Sequence, residues 1–289
     1  MRINVGSGIV ALDQLVLHDP RCAGKLSPAP MPIPVRELLD VAIDAAYVAG
    51  RGALAHFNTG VAVERKADDS PVTIADRHAE QVIRGRIARF FPTHPVLGEE
   101  AGVTPGTDAD YRWIVDPIDG TKSFVLGVPL FGVLVACEVR GQVDVGVVYL
   151  PALDEMVAAG AGLGCTWNGR RARVSDVATL EDAAVLNTNP VRALNRSDAF
   201  ERLAGRARVF RGWGDCYGYV LVATGRAEVM LDPAMNPWDC APMLPILREA
   251  GGHFSDWQGN QTIWGPDAVA TNAALAGEVL SVLRSERRR

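Results

Sequence analysis

The stretch from Trp113 to Phe124, WIVDPIDGTKSF, constrains this chain more than any other. Trp113, Ile114 and Val115 are apolar and β-prone, which predicts a buried strand that stops at Asp116. Pro117, a second carboxylate at Asp119, and then Gly120, Thr121 and Lys122 follow. Two carboxylates this close on a Pro/Gly turn can converge on one point, where their charges repel unless a cation lies between them. Oxygen-only ligands favour a hard ion such as magnesium over zinc. Gly120 lets backbone N–H groups approach an anion, and a helix starting near Thr121 would turn its positive end to a phosphate. A capping or Asx turn is the purely structural alternative for so short a motif. Chemistry is favoured because further carboxylates stand at element ends elsewhere in the chain.

At 289 residues, 48% hydrophobic and 22% charged, the chain can bury a large core as one big domain or two packed halves. A net charge of −5 argues against a nucleic-acid surface, and the arginines at 284 and 287–289 read as a solvated tail. Cys22, Cys137, Cys165, Cys216 and Cys240 are odd in number and lack CxxC spacing. That predicts reduced thiols, mostly small core residues, in a cytoplasmic protein. No apolar run reaches membrane-spanning length, and no signal peptide is evident, so neither membrane nor nucleic acid is an expected partner.

Pro28, Pro30, Pro32 and Pro34 exclude a helix and predict an extended, flexible extension over residues 1–34. A disordered tail, a partner-binding arm and residues read from an upstream start are equally compatible with it. From Val35 the apolar spacing predicts a helix to about Phe57, then a strand at Val61–Arg65 and a polar turn containing Lys66. Thr73–Asp76 opens a second helix that reaches about Phe91, and Asp76 there suits the helix dipole. A strand at Pro95–Gly98 ends in Glu99-Glu100. Neighbours on an extended segment face opposite ways, which sends Glu99 into a shared site and Glu100 behind it.

Leu130–Val139 and Val143–Leu150 predict strands joined at Arg140-Gly141-Gln142, with more β structure at Glu155–Ala159 and around an Asn168-Gly169 turn. The expected result is a large, mainly antiparallel sheet covered by helices. The second half alternates, with strands at Val185–Thr188, Arg208–Arg211 and Glu228–Leu231 and a helix at Asp198–Ala204. A glycine-flanked loop at Gly212–Tyr217 precedes a helix through Ala223, and Asn236 opens an apolar helix to Ala250. Asp232 ends a strand and Asp239 lies in a first helical turn.

Taken together, Val96–Glu100 (VLGEE), Asp116–Thr121 (DPIDGT) and Trp238–Ala241 (WDCA) closely resemble the three signature motifs of the inositol monophosphatase family. Pro71–Asp76 (PVTIAD) resembles its fourth, upstream motif. The resemblance runs from Val35 to about Leu283 and implies an α/β (α+β) fold, a layered αβαβα sandwich. A phosphatase domain over 35–289, with a metal-binding half to about 180 and a second α/β half from 181, is the expected organisation. It further implies that Glu99, Asp116, Asp119, Asp239 and the Ile118 carbonyl hold two or three Mg²⁺ ions. Thr121, hydrogen-bonded towards Asp76, would orient the metal-activated water together with Glu99, while the N–H groups of Gly120 and Thr121 cradle the phosphate. Glu100 and Lys66 would support the ligands from behind. A homodimer is expected by the same resemblance. Pro242 and the N-terminal extension depart from the family pattern without removing any of these residues.

Gly212–Tyr219 (GWGDCYGY), together with DPIDGTKSF and Asn236–Asp239 (NPWD), is similar to the histidinol-phosphate phosphatase branch. Asp215 and Asp232 fall where the family touches the non-phosphate part of its substrate, and two carboxylates suit an amine and an imidazole. Trp213 or Tyr217 would flank the ring. L-Histidinol phosphate, in histidine biosynthesis, is therefore the expected substrate. The rivals are an inositol-1-phosphate or broad sugar-phosphate phosphatase and, in another class, a metal-responsive binding protein on the same fold.

Overall fold

The structure, a computed structural model, describes residues 32–67 and 69–285. Residues 1–31, Cys22 included, lie outside it, and with them nearly all of the expected N-terminal extension. Helix α1 (Val35–Leu54) buries Leu38, Leu39, Ala42, Ala45, Ala46 and Ala49 at the predicted spacing. It stops before Phe57 because turns take over, with Asn58 and Gly60 in the left-handed region. Strands β1 (Val63–Arg65) and β2 (Pro71–Thr73) form an antiparallel pair. Helix α2 (Ile74–Phe90) then starts in a capping box, where the Thr73 side chain and the Asp76 carboxylate each take the other's backbone N–H.

The large sheet comprises β3 (Val96–Gly98), β4 (Gly102–Thr104), β5 (Tyr111–Asp119), β6 (Gly132–Val139), β7 (Gln142–Leu150), β8 (Glu155–Gly160), β9 (Gly164–Trp167) and β10 (Arg170–Arg171). Its order is β10-β9-β8-β7-β6-β5-β3-β4, antiparallel except for the β3–β5 pair. Helix α3 (Thr121–Val125) joins β5 to β6. β5 corrects one expectation. It does not stop at Asp116 but continues to Asp119 across a register shift, pairing Asp116 with Leu134 and Asp119 with Gly132. Pro117 cannot donate to a ladder, so the strand bulges there and both carboxylates stay on it.

The second half supplies β11 (Ala184–Asn187), α4 (Pro190–Arg196), α5 (Ala199–Arg206), β12 (Val209–Arg211), α6 (Asp215–Ala223) and β13 (Val229–Asp232). It ends with α7 (Pro237–Cys240), α8 (Met243–Glu249), β14 (His253–Ser255), β15 (Ala268–Thr271) and α9 (Ala276–Arg284). The five strands order as β12-β11-β13-β15-β14. The single helix expected from Asn236 to Ala250 is two, broken at Ala241–Pro242, because Pro242 and Pro245 supply no N–H to the turn before them.

Period-two alternation sorts the large sheet's side chains into two cores. Trp113, Val115, Val133 and Val135 pack with α1 and α2, while Ile114, Leu134 and Ala136 pack with α6 and α8. Those helices also rest on Met230, Ala268 and Ala270 of the smaller sheet, whose other face (Val229, Leu231, Val269) meets α5 and α9. The result is the αβαβα sandwich, with β5, α6 and α7 brought together inside it. At the centre, a Cβ on Gly146 of β7 would collide with the Pro242 carbonyl and lie 2.8 Å from Pro245 Cγ. Gly146→Val should therefore destabilise the protein by about 1–3 kcal/mol in urea unfolding. Gly85→Ala, at a helix position with open space around it, should leave stability equal or higher.

Candidate active site

Asp116 and Asp119 come from the bulged end of β5, and Asp239 from the first turn of α7. Carboxylate oxygens of the three lie within 4.8 Å of one another. Each is aimed by one backbone N–H: Ile118 donates to Asp116 at 3.0 Å, Cys216 to Asp119 at 2.5 Å and Asn236 to Asp239 at 2.8 Å. Burial pushes Asp116 and Asp119 well above the usual carboxylate range, and the neighbouring charges of Glu99, Asp215 and Asp239 push the same way. Asp239 is pushed up to about 7, chiefly by burial. An all-oxygen, mutually repelling cluster of this kind fits a hard divalent cation. Asp116, Asp119 and Asp239 would hold it.

Glu99 faces the same cluster but is tied to a cation that the chain itself provides. Lys66 Nζ lies 2.8 Å from Glu99 Oε1 and 2.6 Å from Glu100 Oε1. The two glutamates do not diverge as an extended segment would make them, because residues 99–101 form a turn. Buried Glu80 pins that turn, accepting the N–H groups of Glu100 at 2.7 Å and Ala101 at 3.0 Å while paired with Arg84. The Thr121 hydroxyl lies 3.0 Å from the Ile118 carbonyl and 3.4 Å from Asp76 Oδ1. Asp76 thus serves both readings, since its Oδ2 caps α2 through Thr73 and its Oδ1 faces Thr121. Burial raises its pKa.

A cavity of about 480 Å³ is lined by Glu99, Gly120, Thr121, Lys122, Thr188 and Asp215, among others. Gly120 has φ 81°, and a Cβ there would lie 3.2 Å from Asp215 Oδ2. A second cavity of about 70 Å³ shares Thr188 and Asp215 with the first and adds Asp119, Tyr219, Asp232 and Asp239. Burial raises Asp215 to about 6, against the opposing charge of Lys122. Both carboxylates expected to meet the substrate therefore stand beside the ligand cluster. The aromatic residues do not. Trp213 is 45% exposed, Tyr217 packs on the core, and neither lines either cavity.

Sequence reasoning missed Tyr219 and Thr188. Tyr219 donates its hydroxyl to Asp232 Oδ2 at 3.0 Å, and Thr188 lines the same small cavity, its Oγ1 accepting the Asp215 N–H. Tyr219 lies four residues after Asp215, so helical spacing places the two on one face of α6, a signal the glycine-flanked motif hid. Thr188 is the last residue of the strand expected at Val185–Thr188 and directly follows the observed β11, a strand end where functional side chains gather.

A family model described as the inositol monophosphatase family matches residues 35–288. A protein of Chlorobaculum parvum named histidinol-phosphatase is 42% identical over 249 residues, 85% of this chain and 96% of that one. The inositol-1-monophosphatase of Mesorhizobium japonicum is 34% identical over 247 residues, 83% of this chain and 91% of that one. The crystal structure of the extragenic suppressor protein SuhB from Bartonella henselae superposes with a TM-score of 0.82 at 30% identity, covering 87% of this chain and 100% of that one. With this fold and this cluster, the chain belongs to the inositol monophosphatase family of metal-dependent phosphatases and is a phosphoric monoester hydrolase.

Proposed function

We propose that the chain is a Mg²⁺-dependent phosphatase that hydrolyses L-histidinol phosphate to histidinol and phosphate, a step of histidine biosynthesis. One observation carries the substrate choice: Asp215 and Asp232 add two carboxylates to a cavity wall that already holds the metal ligands Asp119 and Asp239. That surplus of negative charge suits a leaving group bearing an amine and an imidazole, which charge-assisted hydrogen bonds reward. The 42% identity to a protein named histidinol-phosphatase supports the same choice. A sugar-phosphate or inositol-1-phosphate substrate is the second reading. It draws support from the hydroxyl donor that Asp232 already accepts and from the relative named inositol-1-monophosphatase.

Glu99, Asp116, Asp119, Asp239 and the Ile118 carbonyl would hold two or three Mg²⁺ ions. When bound, such ions stabilise charge on the phosphate and leaving oxygens and acidify water. The chain's own residues do the positioning. Thr121, between the Ile118 carbonyl and Asp76, orients the attacking water and passes its proton towards Asp76, with Glu99 as the second acceptor. The N–H groups of Gly120 and Thr121 take the phosphate oxygens. Lys66 and Glu100 steady Glu99. A cytoplasmic homodimer completes the reading by family analogy.

Metal binding has a thermodynamic signature. Asp239 and Asp215 titrate higher in the folded protein, at about 7 and about 6, than the ordinary carboxylate value of 3.8. The folded state then binds more protons than the unfolded state between those values and 3.8, so stability without metal rises as pH falls from about 8 to about 4. Mg²⁺ should raise the melting temperature most above pH 7, by the equivalent of about 2.7 kcal/mol at a hundred times Kd, and progressively less below. Asp116→Asn should raise the metal-free melting temperature and abolish the Mg²⁺ shift. A shift retained in that variant would refute the ligand assignment.

Two kinetic outcomes follow from the roles above. Thr121→Ala should lower kcat by about 10²–10⁴ with the Mg²⁺-induced melting shift intact. Asp232→Asn should lower kcat/KM for histidinol phosphate about ten- to hundredfold and far less for inositol 1-phosphate. Equal losses on the two substrates would remove the basis for choosing histidinol phosphate.

A further inference from the structure

Asp232 is buried at the end of β13, yet the side chain that bonds it, Tyr219, is neutral. Tyr219 reaches it from α6, with its hydroxyl 3.0 Å from Oδ2. Thr188, the residue after β11, lines the same cavity, and its Oγ1 accepts the Asp215 backbone N–H at 2.8 Å. Thr188 therefore stands beside both of the residues assigned to the substrate. Tyr219 is itself held rigidly. It is 1% exposed, its ring centroid is 6.0 Å from that of Phe254, and its hydroxyl borders the cavity that Asp232 also lines.

The choice of donor matters. An arginine or lysine partner would cancel the carboxylate's charge, whereas a hydroxyl fixes its orientation and leaves the carboxyl, which burial pushes well above the usual carboxylate range, to be ionised by a cationic ligand. Lys66 does the former to Glu99 and Glu100, and no cation does so to Asp232 among the described ion pairs. We infer that Tyr219, assisted by Thr188, is a positioning residue for specificity: it presents Asp232 in one orientation to the cationic group of an amine-bearing phosphate ester. This rests on the substrate reading above.

The test compares full-length wild type and Tyr219→Phe, saturated with Mg²⁺, on histidinol phosphate and on phenyl phosphate, which carries neither a cation nor a hydroxyl. Removing one hydrogen bond to a charged group should raise KM for histidinol phosphate about tenfold with little change in kcat, and the preference over phenyl phosphate should fall by about the same factor. Thr188→Val should move KM in the same direction, and Thr188→Ser should restore it. That pair decides the matter should Tyr219→Phe not fold. Equal losses on both esters, or a fall in kcat alone, would make Tyr219 structural and overturn the inference. A wild-type preference that survives unchanged in the variants would overturn this inference alone. A wild type with no preference for histidinol phosphate would overturn the substrate reading as well.

Discussion

Three carboxylates that repel one another, held together by a fold that offers each only one backbone N–H, are what the rest of this structure answers to. Asp116 takes its N–H from the β5 bulge, Asp119 from the first turn of α6 and Asp239 from the capping box of α7. These donors belong to β5 of the large sheet and to α6 and α7 in the core between the sheets, so aiming the carboxylates requires the large sheet and the helices packed on it to be in place. Removing charged groups from water costs several kcal/mol per ion even after relaxation, and one N–H does not offset that. A divalent cation does. The energy needed to build the cluster is thus recovered only when the metal binds, which couples metal affinity to the packing of the sandwich.

Around that inner cluster the chain treats its other carboxylates differently. Glu99 and Glu100 share the ammonium of Lys66, and the turn carrying them is pinned by Glu80 and Arg84. A side chain at position 98 would displace that pair, since a Cβ on Gly98 would lie 2.5 Å from Glu80 Oε1. The outer part of the site therefore carries its own counter-ion on the turn between β1 and β2, while the inner part does not. A cation bound near Glu99 has to compete with Lys66, whereas one between Asp116, Asp119 and Asp239 meets no such rival. The metal sites of the proposed function would differ in affinity through that asymmetry.

Much of this was legible from residue order because the ligands sit where local rules are strongest. Strand ends, proline turns and first helical turns announce themselves through composition, and Asp116, Asp119 and Asp239 all stand at such places. Two-residue turns were equally plain: Arg140-Gly141 and Asn168-Gly169 both have positive φ and close hairpins. What escaped depended on tertiary contact. Bulging at Pro117 lets β5 run on to Asp119, which no periodicity rule distinguishes from a stop. The convergence of Glu99 and Glu100 on Lys66 needs a long-range turn contact from Glu80. Aromatic residues misled in both directions, since Trp213 and Tyr217 have the composition of a ring-binding pair but Tyr219 has the contact. Short elements such as α4, β14 and β15 carry too few residues for a period to be read.

Substrate selectivity then comes down to which negative charge is left uncancelled. Asp119 and Asp239 belong to the metal cluster, and Asp215 faces the opposing charge of Lys122. Asp232 is fixed by the Tyr219 hydroxyl, which orients without neutralising. Of the four carboxylates lining the small cavity, it is the one that neither the proposed metal nor Lys122 would neutralise. A neutral polyol gains only ordinary hydrogen bonds from such a group. An ammonium would gain the charge as well, by ionising a carboxyl that burial pushes well above the usual carboxylate range, in a place where screening by water is weakest. On the proposed substrate, the burial that makes Asp232 costly to the empty protein is what would make it selective for a cationic ester.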